Sequence, residues 1–223
     1  MFLIGRILNP PLGDRGMKIT LTNTGKRFNR EWIFRGFNYD FIAPKKYAIT
    51  GANGSGKSTL LQVIAGSLTF NEGSVILKND KRETNNENQE TEFYKHISIA
   101  APYLELIEEM TANEFLDFHT AFKPLSISKK EALQIVGLEK AANKQIRYYS
   151  SGMKQRLKLA QAFFCQSPVL LLDEPTTNLD AEGTALYQQL IKDYTRNKLV
   201  IISSNDQQEY AFCDEVIAIG EYK

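Results

Sequence analysis

The chain has 223 residues and a formal net charge of +1, and 24% of its residues are charged. This length accommodates one large domain, or one domain with an inserted lobe, and the balanced charge indicates neither a nucleic-acid partner nor an acidic tail. The longest apolar runs, such as residues 169–172, are far shorter than the roughly 18 residues that a membrane-spanning helix needs.

The N-terminal sixteen residues show no clear period and contain two prolines and three glycines. Alternating apolar and polar side chains begin at Met17. We therefore expect residues 1–16 to be an extension that is disordered or precedes the native start, and residues 17–223 to form the domain.

Three strands are predicted in the first third of the chain, over residues 17–24, 31–41 and 72–78, each followed by turn signals. The polar run 79–91 is predicted to be an exposed loop. A further apolar stretch, Tyr47 to Thr50, is strand-like and leads into a glycine-rich segment.

That segment matches the pattern G-x-x-x-x-G-K-[ST], and residues with helical spacing follow it. It consists of Gly51, Ala52, Asn53, Gly54, Ser55, Gly56, Lys57, Ser58 and Thr59. Glycines allow successive backbone N–H groups to point at phosphate oxygens, Lys57 supplies a positive charge for the β- and γ-phosphates, and Ser58 can ligate Mg²⁺. Strand, loop and helix in this order are the context that a nucleoside triphosphate site requires.

A helical block is predicted over about residues 105–155. It follows a short strand, Ile97–Ala101, and contains two capping boxes. Thr111 with Glu114 begins a helix that extends to about Phe122. Ser128 with Glu131 begins another that extends to about Val136.

Alternating strands and helices complete the chain. The predicted order is helix 151–165, strand 169–172, helix 181–194, strand 199–203 and strand 216–219. This alternation indicates a parallel sheet with helices on its faces. The expected fold is therefore α/β, a P-loop NTPase parallel-sheet core with an antiparallel β subdomain and an inserted helical subdomain.

Two carboxylates follow the apolar strand 169–172. Ligands bind at the carboxyl ends of strands in open α/β sheets, so Asp173 is placed to hold Mg²⁺ and Glu174 to accept a proton from an attacking water. A surface turn after a core strand would have the same local sequence. The phosphate loop makes the catalytic interpretation the stronger one.

The segment from Tyr149 to Arg156 places a small-residue turn at the start of a helix, where backbone N–H groups and a serine hydroxyl form an anion site. With Asn178-Leu179-Asp180 after Glu174, it makes the chain resemble the nucleotide-binding domain of ATP-binding-cassette (ABC) proteins. Residues 149–155 are similar to the signature L-S-G-G-Q, although Tyr149, Ser151 and Met153 replace the usual residues.

The resemblance implies a composite site for ATP and Mg²⁺. Two domains, identical or different, would pack head to tail around two ATP molecules, and Lys57 of one would face Ser150, Ser151 and Gly152 of the other. Asp180 lies in the D-loop. Phe28 occupies the place of an aromatic that stacks on adenine, with Trp32 as a weaker rival.

The resemblance also implies partners and a location. The expected partner is a membrane-spanning permease subunit on another chain, so the domain would be cytoplasmic and peripheral on the inner face of the cell membrane. Nucleic acid is not an expected partner. A regulatory ATP-binding subunit with little hydrolysis and a soluble ABC ATPase outside transport remain alternatives.

Two side chains depart from the family pattern. Ala101 stands where the family usually has a glutamine that touches Mg²⁺, and Tyr103 or Glu105 would have to replace it. Asn205 stands where a histidine usually bonds the γ-phosphate, and its amide is shorter and never cationic. We expect slow but genuine hydrolysis, with Glu174, Lys57 and Asn205 as the catalytic residues.

Overall fold

The structure, a computed structural model, describes residues 16–79 and 93–223 and contains two β-sheets within them. The predicted extension at residues 1–16 lies outside this part, apart from Gly16. The predicted loop 79–91 also lies outside it, apart from Asn79, which ends a strand.

The smaller sheet is antiparallel, with strands in the order β2-β1-β4. These strands are β1 (Met17–Phe28), β2 (Glu31–Ile42) and β4 (Glu72–Asn79). The three predicted strands are confirmed, but β1 continues four residues beyond residue 24. Its pairing with β2 shifts register at three places between Leu21 and Arg27, which interrupts the alternation of side chains that the sequence prediction used.

The larger sheet has five parallel strands in the order β5-β6-β7-β3-β8. They are β3 (Lys46–Thr50), β5 (Ile97–Ala100), β6 (Val169–Asp173), β7 (Leu199–Ser203) and β8 (Glu215–Ala218). All residues of β6 and β7 are buried, as continuous apolar strands of parallel sheets are. The carboxyl ends of β3, β5, β6 and β7 therefore meet at one edge.

Seven α-helices accompany the sheets in the described ranges. They are α1 (Lys57–Ile64), α2 (Phe93–His96), α3 (Ala112–Thr120), α4 (Lys129–Ile135), α5 (Ser151–Phe164), α6 (Ala181–Tyr194) and α7 (Gln207–Tyr210). The sequence did not predict α2 and α7, because four residues are too few to show a helical period. None of the helices in residues 16–79 and 93–223 is long and apolar enough to cross a bilayer.

Hydrophobic side chains pack on both faces of the parallel sheet. In β6, Leu170 and Leu172 contact the cluster formed with α3, α4, α5 and α6, whereas Val169 and Leu171 face the cluster formed with α1 and the antiparallel sheet. The sheet is therefore the middle layer of the fold, as the α/β prediction requires.

Both predicted N-caps in the helical block are present, but only the first of the two predicted capping boxes is complete. Thr111 and Glu114 form a reciprocal capping box, and Ser128 accepts a hydrogen bond from the Glu131 N–H. Helix α3 ends at Thr120, two residues earlier than predicted. Beyond it the chain forms a turn in which the N–H groups of Phe122 and Lys123 both donate to the His119 carbonyl oxygen at 3.0 Å.

Candidate active site

The phosphate loop connects the end of β3 to the start of α1, and glycine is required at both of its ends. Gly51 and Gly56 have φ values of 148° and 105°. A Cβ atom at Gly56 would lie 2.4 Å from the Ile33 side chain, and one at Gly51 would lie 2.8 Å from Ser55 Oγ. Only glycine combines this backbone geometry with this close packing.

Lys57 is the first residue of α1 and is 5% exposed. Its Nζ donates hydrogen bonds to the carbonyl oxygens of Gly51 at 2.8 Å and Ala52 at 3.3 Å. An ammonium group has three donors, so one remains for an incoming anion. The lysine thus shapes the loop and brings its positive charge to it.

The next residue of α1, Ser58, meets the carboxyl end of β6. Asp173 is 1% exposed, and burial raises the pKa of its carboxyl above the ordinary value, while the neighbouring hydroxyls of Ser58 and Ser203 act to lower it. Asp173 Oδ1 and Ser203 Oγ are buried with no hydrogen-bond partner in the described chain. A hydroxyl, a carboxylate and unsatisfied oxygens are the donor set that Mg²⁺ prefers, so these residues fit that ion.

Glu174 follows Asp173 in a left-handed conformation, with φ of 42°. Its N–H donates to the Ser203 carbonyl oxygen at 2.9 Å, and its carbonyl oxygen accepts from the Thr177 N–H at 3.1 Å. Within the described residues, its carboxylate accepts a long hydrogen bond of 3.5 Å from Thr177 Oγ1. A non-glycine residue in this region is strained, and such residues cluster at active sites.

Asn205 lies after β7 and contacts the phosphate loop directly. Its Nδ2 donates to Asn53 Oδ1 at 2.8 Å, and its Oδ1 accepts a hydrogen bond of 3.4 Å from the Gly51 N–H. The sequence predicted that Asn205 would be near the phosphates. It did not predict that the side chain would bridge two residues of the loop.

Ala101 is fully buried beyond the end of β5 and offers no polar side-chain atom. Its carbonyl oxygen accepts a hydrogen bond from Lys158 of α5 at 3.3 Å. Of the two residues that could replace a glutamine here, Tyr103 lies close enough to Asp173 for that charge to act on its hydroxyl, with the Gln62 side chain beside it. Burial and the charge of Asp173 raise the pKa of Tyr103, so its hydroxyl stays neutral beside that carboxylate.

Comparison with known proteins assigns the family. The family model for ABC transporters matches residues 34–177. The ABC transporter ATP-binding protein YybJ of Bacillus subtilis is 31% identical over 88% of this chain and 89% of its own length. The chain belongs to the ABC transporter family.

Other relatives agree with this assignment. The cytochrome c biogenesis ATP-binding export protein CcmA of Rhizobium johnstonii is 30% identical over 86% of this chain and 89% of its own length. Among solved structures, the ATP-binding cassette MJ0796 bound to ADP and Pi superposes with a TM-score of 0.75 and 25% identity, over 91% of this chain and 95% of that chain. These matches also confirm the predicted P-loop fold.

The signature-like segment of this ABC chain caps α5. Ser150 Oγ accepts a hydrogen bond of 3.2 Å from the Met153 N–H, so Ser151 and Gly152 form the helix N-terminus. A Cβ atom at Gly152 would lie 3.1 Å from the Asn178 carbonyl oxygen, so this turn packs on the D-loop-like segment. No hydrogen bond joins residues 150–152 to the phosphate loop within 16–79 and 93–223.

The remaining predicted ABC site residues lie at the periphery. Asp180 caps α6 through the Gly183 N–H at 2.8 Å. Phe28 is 48% exposed at the end of β1, with Lys26 Nζ 4.9 Å from its ring centre. The rival ring of Trp32 has the Arg35 guanidinium at 4.6 Å. Adenine stacking on Phe28 therefore remains a prediction.

Proposed function

We propose that this chain is the ATP-binding and ATP-hydrolysing subunit of an ABC transporter, in which two such domains close around two ATP molecules and drive a separate membrane subunit. The proposal depends chiefly on one observation: the phosphate loop, Ser58, Asp173 and Glu174 converge at the carboxyl edge of the parallel sheet. This edge is where open α/β sheets bind ligands.

Each group at this edge has a role in the reaction. The loop N–H groups and Lys57 bind the phosphates, and Ser58 with Asp173 would hold Mg²⁺, which neutralises charge on the phosphate oxygens when bound. The Glu174 carboxylate accepts a proton from the attacking water, since it has few partners of its own. Tyr103 places a neutral hydroxyl beside the same metal ligands.

The site is half of a composite site in this proposal. Ser150, Ser151 and Gly152 present a helix N-terminus and a hydroxyl that fit an anion but are not hydrogen-bonded to the phosphate loop of their own chain. A second ABC domain, identical or related, would bring the same turn to the γ-phosphate held by Lys57. Such an arrangement between identical chains is two-fold symmetric.

The partner is a membrane-spanning permease subunit on another chain, and this partner places the domain at the inner face of the membrane. Purification of the tagged chain from native membranes in mild detergent tests this proposal. We expect an integral membrane protein to co-purify in fixed proportion, and a control purification with the tag alone should lack it. A complex containing only soluble proteins would instead favour an ABC ATPase outside transport.

We propose slow turnover because Ala101 stands in place of the family's glutamine and Asn205 stands in place of its histidine. Asn205 nevertheless hydrogen-bonds the phosphate loop, so removing its side chain should lower kcat further by disturbing that loop. We expect Asn205→Ala to lower kcat by about tenfold, the value of one or two hydrogen bonds. Asn205→His keeps a donor and an acceptor and can carry charge, so it should match or exceed the wild-type kcat.

Steady-state phosphate release at saturating Mg-ATP measures both Asn205 variants. A loss in Asn205→His as large as in Asn205→Ala would show that the asparagine geometry at Asn53 and Gly51 matters more than a charge near the γ-phosphate. A regulatory subunit without hydrolysis is disfavoured because the structure keeps Lys57, Asp173 and Glu174 together.

A further inference from the structure

Glu209 is a buried carboxylate outside the residues assigned so far. It lies on the short helix α7 and is 2% exposed. Its Oε1 accepts two hydrogen bonds from one residue, from the Thr176 N–H at 2.7 Å and from the Thr176 hydroxyl at 2.5 Å. Burial raises the pKa of this carboxyl, so the fold keeps the group there at an energetic cost.

The residue that Glu209 holds belongs to the turn that carries Glu174. Thr176 lies two residues after Glu174, and its carbonyl oxygen accepts the Leu179 N–H at 2.9 Å. On the other side of the turn, the buried Gln155 of α5 donates to the Pro175 carbonyl oxygen at 2.8 Å. Two buried side chains from different helices therefore clamp the backbone between Glu174 and Leu179.

The position of the Glu174 carboxylate depends on this backbone. Its own side-chain partner is a 3.5 Å contact within the same turn, and its φ of 42° is strained. A strained conformation persists only where the surroundings hold it. Glu209 supplies part of that restraint. It lies in the segment after β7, where Ser203 accepts a hydrogen bond from the Glu174 N–H and Asn205 contacts the phosphate loop.

We propose that Glu209 is a positioning residue for hydrolysis: by accepting hydrogen bonds from both donors of Thr176, its carboxylate fixes the turn that aims Glu174 at the attacking water. This inference rests on the proposed ATPase function. It predicts that replacing Glu209 lowers the rate of hydrolysis through its effect on Glu174 and leaves nucleotide binding largely unchanged.

A double-mutant cycle tests this dependence. Glu209→Ala should lower kcat by about 10- to 100-fold, as expected for a misplaced catalytic group, and leave the KM for ATP within about twofold. In a Glu174→Gln background, where no base remains to be aimed, the same change should leave the residual single-turnover rate unaltered. Glu209→Gln keeps the acceptor oxygen and should retain kcat within about threefold.

Tyr187→Phe is the matched control. The Tyr187 hydroxyl donates to the Glu209 carbonyl oxygen at 2.7 Å, so its loss loosens α7 without touching the carboxylate. It should leave kcat within about twofold. An equal loss of kcat in Tyr187→Phe and Glu209→Ala, or an equal effect of Glu209→Ala with and without Glu174, would overturn the proposal.

Amide hydrogen exchange separates this inference from the ATPase proposal. Glu209→Ala should speed exchange at the turn amides of Thr177 and Leu179 and leave the amides of α1 unchanged. If the alanine variant does not fold, Thr176→Val removes one of the two bonds and takes its place in the cycle and in the exchange experiment. Unchanged exchange refutes the role of Glu209, whereas equal turnover of wild type and Glu174→Gln refutes the ATPase assignment alone.

Discussion

Replacement of Glu174 by glutamine should lower ATP turnover by about 100- to 1,000-fold, the range found when one stabilising or water-orienting group is removed from an active site. Glutamine has nearly the same shape but cannot accept a proton from water. The backbone contacts of Glu174 to Ser203 and Thr177 do not involve its side chain, so the fold should be retained. Phosphate release by purified protein with Mg-ATP measures the effect.

The same variant should keep ATP bound. Because hydrolysis is what opens the proposed dimer, Glu174→Gln should form an ATP-dependent dimer that gel filtration with multi-angle light scattering can detect. Glu139→Gln, at an exposed acidic residue in the helical block, is the matched control and should behave as wild type. Equal turnover of wild type and Glu174→Gln would show that the measured activity does not arise at this site.

The core of this fold is predictable because its signals are local. Uninterrupted apolar residues in β6 and β7 indicate strands buried on both faces, and the structure confirms them. The cap at Thr111 depends on residues three apart, and it too is present. In β1 the register shifts interrupt the alternation of apolar and polar side chains, and for this reason the predicted strand ends too early.

The sequence predicts the residues that would touch the nucleotide, but it does not predict the contacts that hold those residues in place. The phosphate loop and the two carboxylates after β6 can be placed from the sequence, since strand order brings strand ends together. The contact of Asn205 with Asn53 spans 152 positions, and that of Thr176 with Glu209 spans 33. Such pairs depend on how the loops pack after folding, and no periodicity or spacing in a single sequence encodes them.

Replacement of Lys57 by alanine should weaken ATP binding by about 10- to 100-fold. A charge-assisted hydrogen bond to phosphate contributes about 1.5–3 kcal/mol, and the variant also leaves the Gly51 and Ala52 carbonyl oxygens without their donor. Lys57→Arg should not restore binding, because the planar guanidinium does not replace a compact ammonium inside a closed loop.

Thermal unfolding with and without ATP measures this loss of affinity, because a ligand that binds only the folded state stabilises it by an amount that depends on its Kd. At a concentration of 100 times the wild-type Kd, ATP should stabilise the wild-type fold by about 2.7 kcal/mol, and this value should fall to about 0.4–1.4 kcal/mol in Lys57→Ala. Lys45→Ala removes a half-exposed lysine that pairs with Glu215, and it should keep the full ATP shift. If ATP stabilises Lys57→Ala as much as wild type, the nucleotide binds elsewhere, and the convergence of Lys57, Ser58 and Asp173 would need a different ligand.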